Sequence, residues 1–545
     1  MQTLTIPASV TKRKQACKSC RQRKKKCDLE NLDFLQLPGS NFDLFVARTT
    51  EYPSTISTQH AETATDQQNV MDNFRLPPHE LLQELVQLFF DHLYHMFPIF
   101  HRGSFETLLQ EGILEKESPL ILYAICCVAA RYHPDASVQK RGKDWYAQAK
   151  FNYDLTQRDP HPALRTIQAA LVLILHAYTT GDFSAGWLFL GKAWRQAVAL
   201  GINRMDASNA VSPGMKPMGM HAGVQNRHCQ EKPEVSRAVK EEYRRTLWLM
   251  FAMDRNMAWP TAWFNTVAEL HFKIDIPIAD TTFQAMDLVQ DHKTFENATF
   301  TPNFNRLIEG TSLAKDPHNI FHYICIAHVL LGRVSELVHS LHHVPGSPEY
   351  ANESAELDSH IIKFQLSLSR NAISVFQAAV EDRAHVVWLQ VMLNTCTMIL
   401  HYHNSDDTNG LSTLPPFVLA VTAARNIAQI VKDASRISTD LLMSAHIASS
   451  LYVAACILVI EWRITGDDAL RRIIELFELV FDRMNEVFVF LGIKFKFALE
   501  HDMRKSKEEL AELRLRGFRG LMADCTKWTH VKEEVQRRGL LIDIT

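Results

Sequence analysis

Residues that break helices are scarce in this chain. Glycine and proline together supply 41 of the 545 residues, under about 8% where about 12% is usual. That shortage argues against many short strands joined by tight turns and favours long helices. No segment alternates apolar and polar residues between turn signals in the manner of a half-buried strand, and no internal repeat of fixed period is present. A disulfide framework is also excluded. Of ten cysteines, three crowd into residues 17–27. The others, Cys126, Cys127, Cys229, Cys325, Cys396, Cys456 and Cys525, are scattered, mostly within apolar stretches, which is the usage of a reducing compartment. No apolar h-region follows the first N-terminal charges. The most apolar long window, about Ile447–Ile460, is too short for a bilayer and is flanked by His446 and Glu461. A soluble, intracellular chain with no membrane partner is expected.

Catalytic signatures are missing as well. There is no H-E-x-x-H, no G-x-S-x-G, no P-loop and no G-x-G-x-x-G, and the chain does not read as an enzyme. Its 25 histidines read as satisfied side chains. The run HYHNSDD at 401–407 ends a predicted helix and reads as a polar loop. His342 and His343 have no nearby carboxylate and precede a Pro-Gly turn. Met215, Met218, Met220, His221, His228 and Cys229 lie together in a polar insertion and do not read as a copper site.

The net charge of −3 conceals an asymmetry. Residues 1–27 hold nine Lys or Arg and no acid, leaving 49 basic against 61 acidic residues in the remaining chain. A basic arm on an acidic body implies that the arm meets a polyanion and the body does not. Residues 12–30 form the basic, cysteine-bearing segment. From 31 to 76 the chain turns polar. The stretch RTTEYPSTISTQHAETATDQQNV has too few large apolar residues to offset ordering entropy and reads as a flexible linker.

Order is expected to begin near Pro77. HELLQELVQLFFDHLYHMF places Leu81, Leu82, Leu85, Leu88 and Phe89 on one helix face, and Pro98 stops that helix. Further helices are predicted at about 118–133, 161–179, 183–201, 235–258, 316–342, 356–383, 385–403, 415–434, 438–463, 467–493 and 505–522. Residues 206–233 and 264–315 interrupt the pattern, and the first of these reads as disordered. The fold class that follows is all-α: a large multi-helix body preceded by a small cysteine-bearing segment and a disordered linker.

ACKSCRQRKKKCD spaces Cys17, Cys20 and Cys27 as C-x2-C-x6-C. Thiolates are soft ligands that zinc accepts tetrahedrally. The short spacing lets two thiolates grip one metal from a single turn, and the longer one suits a helix that returns a third. Arg21, Arg23, Lys24, Lys25 and Lys26 fill that helix. A metal-clamped cationic helix is suited to a DNA groove, with phosphates giving affinity through counterion release and guanine edges giving selectivity.

The pattern C-x2-C-R-x-R-K-x-K-C-D resembles the first half of the fungal binuclear zinc cluster, a six-cysteine, two-zinc DNA-binding domain. The resemblance implies regulation of RNA polymerase II genes from the nucleus by a homodimer reading CGG-like half-sites in double-stranded DNA. By motif position, Arg23 and Lys24 match residues that reach bases, and Lys18, Arg21 and Lys26 match residues that touch phosphates. Lys12, Arg13 and Lys14, with Arg23, Lys24, Lys25 and Lys26, also suit a nuclear import receptor. The second half of the cluster is missing, since the next cysteine is Cys126. Three thiolates cannot build a six-thiolate cluster. At most one zinc is expected here, on Cys17, Cys20 and Cys27 with Asp28, His60 or water as fourth ligand. Three explanations stay open: coding sequence lost after Asp28, a variant with weakened DNA binding, or a segment that acts only in import.

The body carries a second resemblance. FFDHLYHMFPIFHRGSF (89–105), TIQAALVLILHAY with GDFSAGWLFLGKAWRQAVALGI (166–202), and EEYRRTLWLMFAMDRNMAW (241–259) with FKIDIPIAD (272–280) resemble the fungal-specific transcription factor regulatory domain, or middle homology region. This implies such a domain over 77–290 and a C-terminal helical part over 291–545, and in some members a response to a small-molecule inducer. Ala185, Gly186, Gly191, Ala193 and Ala197 are read as allowing close helix approach. Arg244, Arg245 and Asp254 are read as packing ion pairs, and Trp187, Trp194, Trp248, Trp259 and Trp263 as core. The last residues, GLLIDIT, read as a frayed helix end. The competing reading is a regulatory or interaction protein that keeps the helical domain with impaired or no DNA binding.

Overall fold

Each helix is fixed by what it buries and by how it is capped. The computed structural model describes residues 75–156, 163–207, 236–286, 296–313, 319–343, 346–402, 416–523 and 527–540. These all fall in one of the chain's two compact units, Ala64–Thr545. The predicted Cys segment, the import residues and the cluster at Met215–Cys229 lie outside the described residues.

The chain enters through α1 (His79–His92), which buries Leu82, Leu85, Val86, Phe89 and Phe90. The face is rotated slightly from the predicted one, leaving Leu81 and Leu88 at its edge. A 3-10 turn, Tyr94–Met96, and a buried turn at 98–101 lead to α2 (Arg102–Gln110), α3 (Ile113–Glu117) and α4 (Pro119–Ala129). Ten residues of α4 are buried, so it is apolar on every side. Next come α5 (Ala136–Leu155), α6 (Leu164–Thr180), α7 (Phe183–Ala199) and α8 (Arg237–Ala258). The shorter α9 (Asp280–Gln284) and α10 (Phe304–Leu313) precede α11 (Ile320–His339), α12 (Pro348–Ser367), α13 (Arg370–Ile373) and α14 (Arg383–His401). The C-terminal part contains α15 (Pro416–Ser435), α16 (Ala448–Thr465), α17 (Asp468–Val487), α18 (Val489–Arg504), α19 (Lys507–Leu515), α20 (Gly517–Ala523) and α21 (Trp528–Arg537). No strand forms among the described residues; a single bridge joins Ile276 to Ala298. The fold is all-α, as the scarcity of breakers implied.

Consecutive helices pair as hairpins (α4 with α5, α6 with α7, α14 with α15, α17 with α18), and α11 lies against α14. One continuous apolar core runs through the body. Ile493, Phe497, Val531 and Val535 form a small second core that docks α21 on α18. The α6–α7 corner needs glycine twice over. Gly181 has φ 93°, and a Cβ there would come within 2.9 Å of the Phe490 ring. Asp182 then caps α7 by accepting the amide of Ala185 at 3.2 Å. On α7, a Cβ at Gly186 would make only an ordinary contact, 3.6 Å from the Ala177 Cβ, and one at Gly191 would meet only Arg195 of its own helix, so neither glycine is required by a close helix approach.

Among the described residues two helices, α11 and α16, are long and apolar enough to cross a membrane by length and composition. The apolar window of α16 extends beyond Ile460 because the helix continues through Trp462 and Ile464 to Thr465. In both, most of that surface is used inside the body, 89% and 72% of each window being buried. Several sequence expectations are corrected. The predicted helix at 356–383 is α12, starting at Pro348 and stopping at Ser367, followed by turns. The predicted helix at 467–493 breaks at Phe488 into α17 and α18. The 20-residue α5, α2 and the helix α10 inside 264–315 were not expected at all.

The α17–α18 corner is tight. A Cβ on Gly492 would overlap the backbone nitrogen of Asn485 and the carbonyl oxygen of Phe481. Gly492→Ala is expected to cost on the order of 3 kcal/mol through overpacking. Gly310→Ala, on a helix with nothing within 4 Å of the new Cβ, should be neutral or stabilise by up to about 1 kcal/mol. Denaturant unfolding of the two variants checks this pair; equal effects would contradict it.

Candidate functional site

Five charged residues of α8 do not face water. Ser236 caps the helix by accepting the amide of Val239. Glu241, Glu242, Arg245, Asp254 and Arg255 are all at most 2% exposed. Buried charge is costly unless paired and hydrogen-bonded, so each has partners, and those partners define the centre of the body.

Arg245 donates through Nη1 to the Pro98 carbonyl at 2.8 Å and to Asp280 Oδ1 at 2.9 Å. Its Nη2 donates to the Ile278 carbonyl at 2.7 Å, and Nε to Glu241 Oε1 at 3.3 Å. The guanidinium also lies 4.3 Å from the Phe283 ring centroid. Glu241 accepts the Ile278 amide at 2.9 Å and the Asn297 amide group at 3.0 Å. Burial pushes the Glu241 carboxyl above its usual range, against the pull of Arg245. Burial likewise raises the Tyr94 hydroxyl well above normal, with Asp280 adding to it. That hydroxyl donates to Asp280 Oδ1 at 2.9 Å.

The turn at 98–101 is the hub of this network. Arg245 takes the Pro98 carbonyl, Gln168 of α6 the Ile99 carbonyl at 3.1 Å, and Gln284 of α9 the Phe100 carbonyl at 2.8 Å. Glu242 accepts the His101 amide at 2.8 Å. Arg165 of α6 then bridges Gln168 at 2.7 Å and Glu242 at 3.2 Å. Side chains from three helices thus satisfy four consecutive residues of one buried turn.

Two further pairs use the same helix. Arg244 grips Asp206 through both ends, at 2.9 and 2.7 Å, and Asp206 also accepts the Asp275 amide. Asp254 holds Arg255 at 2.5 Å and accepts the amides of Thr266 and Val267. The Arg255 guanidinium lies 3.7 Å from the Phe251 ring centroid and against Gly332 of α11, where a Cβ would come within 2.8 Å of Nε. The expected ion pairs of Arg244, Arg245 and Asp254 are therefore present. Their partners Asp206, Glu241, Asp280 and Arg255, and the roles of Glu242, Arg165 and Gln168, were not read from sequence. The available signal was Glu241 four residues before Arg245 in a helix otherwise apolar on that face.

A ring of imidazoles lies beside this network. His446 stacks on Trp388 with centroids 4.2 Å apart, and His328 and His385 approach the same indole. His385 donates to the His95 carbonyl at 2.8 Å and His328 to the Ile324 carbonyl at 2.8 Å. Burial pushes His95 and His328 down to about 4 and His446 to about 3. These are neutral packing groups. Cys127 and Cys396 are pushed up to about 12 by burial and stay thiols. Among the described residues no three His, Cys, Asp or Glu side chains are placed to share a metal.

Other expectations divide. Trp194, Trp248 and Trp259 are core. Trp187 and Trp263 are only half-buried and meet at 5.2 Å near the surface, beside exposed Phe264. His343 has a carboxylate after all: α12 brings Glu353 Oε2 to 3.3 Å from Nε2, a long-range contact invisible in sequence. His401 pairs with Asp358 at 2.8 Å, while 403–407 lie outside the described residues. Arg21, Arg23 and the other predicted metal, DNA and import positions, Lys12 through Cys27, also lie outside them.

Residues 86–259 match the family described as the fungal specific transcription factor domain. The match contains the hub turn, α6 and α8. A Zn(2)-C6 fungal-type transcription factor of Fusarium oxysporum f. sp. lycopersici, FTF1a, is 28% identical over 211 residues, 37% of this chain and 18% of that protein. An uncharacterized transcriptional regulatory protein of Schizosaccharomyces pombe is 32% identical over 187 residues, 33% of this chain and 17% of that one. The chain thus spans under a fifth of the length of these relatives. No solved structure matches.

Two outcomes follow from the buried groups. Arg245→Met takes the nearer cation from buried Glu241 and the guanidinium from half-buried Asp280, and should cost about 3–5 kcal/mol. Arg245→Met with Glu241→Leu should cost less than the sum of the single changes, as read by a double-mutant cycle in urea. The imidazoles set the pH response. Above about pH 6.5 they are neutral both folded and unfolded; below it the unfolded chain takes up protons that the folded chain refuses. Stability should therefore fall from about pH 6.5 towards 4, by about 1.4 kcal/mol per pH unit for each such histidine. His446→Gln should make the slope of urea midpoint against pH shallower; an unchanged slope would remove His446 from the account.

Proposed function

We propose that this chain is a zinc-dependent, sequence-specific regulator of transcription that acts in the nucleus and reads CGG-like half-sites as a homodimer. The observation that carries the reading is the conjunction of two signals. Cys17, Cys20 and Cys27, spaced as C-x2-C-x6-C and filled with cations, precede a body whose residues 86–259 match the fungal specific transcription factor domain. The similar Fusarium protein, named a Zn(2)-C6 factor, supports zinc as the metal and DNA as the partner. Arg23 and Lys24 read base edges, Lys18, Arg21, Lys25 and Lys26 meet phosphates, and Lys12, Arg13 and Lys14 extend the basic run for an import receptor. The helical body is the regulatory part, with a small-molecule inducer among its partners, and performs no catalysis.

One observation favours a second reading. The segment has three cysteines where a complete cluster uses six, so one zinc at most is held. A chain that has lost DNA reading would act through its helical body alone.

Metal content and DNA selectivity separate the two readings. The purified full chain is expected to hold one zinc, lost in Cys17→Ser and Cys20→Ser. It should bind a CGG-containing duplex more tightly than a scrambled one, with the preference abolished by chelator. Arg23→Ala with Lys24→Ala should weaken CGG binding about 10- to 100-fold, whereas Lys26→Ala should weaken both duplexes alike and flatten the salt dependence. No bound zinc together with equal affinity for the two duplexes would establish the second reading.

A further inference from the structure

Helix α21 is held to the body by little apolar surface. It buries Val531, Glu534 and Val535. Its two valines join Ile493 and Phe497 of α18 in the small second core, apart from the continuous core of the body. Half-buried Trp528, at its start, packs edge-on to Phe490 with ring centroids 5.3 Å apart. A helix with few buried apolar contacts opens at lower cost than the core beside it. The residue that leads into α21 is also strained. Lys527 has φ 39°, a left-handed value that a residue with a Cβ adopts at a cost, and release of α21 relieves it.

The polar side of the same interface is crowded with cations. Lys505 and Lys527 each place Nζ 3.0 Å from Asp502 Oδ1, and Tyr452 donates to Oδ2 at 2.9 Å. One buried carboxylate already serves two ammonium groups. Beside it, the His501 ring of α18 lies against the His530 ring of α21, with centroids 4.3 Å apart. His530 Nε2 is buried and has no hydrogen-bond partner, so a proton placed there would find no acceptor. Burial lowers the His501 pKa, and His530 adds to the effect.

The groups around the pair do not compensate a second and third positive charge. Lys505, Lys527 and Asp502 act on His501 directly, and two of those three are cations. On α19, Glu509 is exposed and already bound to Ser506 in a capping box. On α18, Glu500 is taken by Arg538 at 2.6 Å. One turn along α21 from His530, Glu534 is taken by Arg537 and Arg538 at 2.6 and 3.0 Å, and Glu533 faces solvent. Two neutral rings fit this site. Two imidazolium ions would face each other across the α18–α21 contact with two lysines alongside.

We propose that α21 is a pH-sensitive latch: protonation of the stacked His501–His530 pair drives it off α18 and uncovers Ile493 and Phe497 while the rest of the body stays folded. Above about pH 6.5 His501 is neutral whether α21 is docked or free. Below it the free ring takes up a proton that the docked ring resists, so docking weakens as pH falls. The latch is independent of DNA reading, and it differs from the imidazoles around Trp388, which act on the fold as a whole. Hydrogen exchange of the full chain, read by mass spectrometry at about pH 7.5 and about pH 5.5 and corrected for the intrinsic pH dependence of exchange, follows one peptide from α21 and one from α16. Protection of α21 should fall at least about tenfold between the two conditions while α16 stays protected. His501→Phe with His530→Phe keeps a stacked pair without titratable groups and should leave α21 equally protected at both. His530→Gln, the smaller change, should shrink the pH effect. Unchanged protection of α21 in the wild type, loss of protection from α16 in parallel, or the same fall in wild type and both variants overturns the proposal.

Discussion

Backbone amides and carbonyls that leave water must find partners inside the protein. The turn from Pro98 to His101 is fully buried, and its irregular backbone cannot supply those partners itself. Arg245, Gln168, Gln284 and Glu242 supply them from α8, α6 and α9. Everything around the hub is positioned by that requirement. The aromatic end of α1 must arrive where Arg245 can reach the Pro98 carbonyl. Residues 276–280 must return so that the Ile278 carbonyl and Asp280 complete the guanidinium's set. Because the partners are charged, they also demand one another: Arg165 with Glu242, and Arg245 with Glu241.

Such a hub specifies more than it stabilises. Replacing a buried ion pair with well-packed apolar residues is often neutral or favourable, whereas removing one partner is severe. An apolar stripe on α8 would still collapse against α6 and α11, but it would tolerate sliding by a turn. Directional bonds from one guanidinium to three separate chain segments do not. The imidazole ring around Trp388 has a similar character, with neutral rings whose donors are each fixed on a particular carbonyl. The body is thus ordered by polar contacts set inside a large apolar core.

The strongly periodic helices were legible from sequence, since α6, α7, α8, α11, α14 and α15 start and stop within a few residues of where their apolar spacing indicates. The failures have physical reasons. Helix α5 is largely polar, buries only a few residues such as Trp145 and Tyr153, and carries a weak apolar stripe. The helix α18 follows α17 with one intervening residue, and the apolar pattern alone does not reveal the bend at Phe488. For the hub, the residue types on α8 could be recognised as ion-pairing. Their partners outside α8 lie 33 to 147 positions away, and no periodicity within one helix encodes such pairings. The Cys segment is the opposite case, legible wholly as a pattern of spacing and charge.

These observations constrain how the body could respond to a small molecule. At the hub a ligand would have to displace charge-assisted bonds whose donors and acceptors are already matched, and any replacement must satisfy the same buried backbone groups. An element that touches the α8 ion pairs without supplying the hub's bonds imposes no such demand. Helix α11 is one, with Gly332 set against Arg255, so a shift of α11 would reach α8 without first breaking the bonds that define the fold.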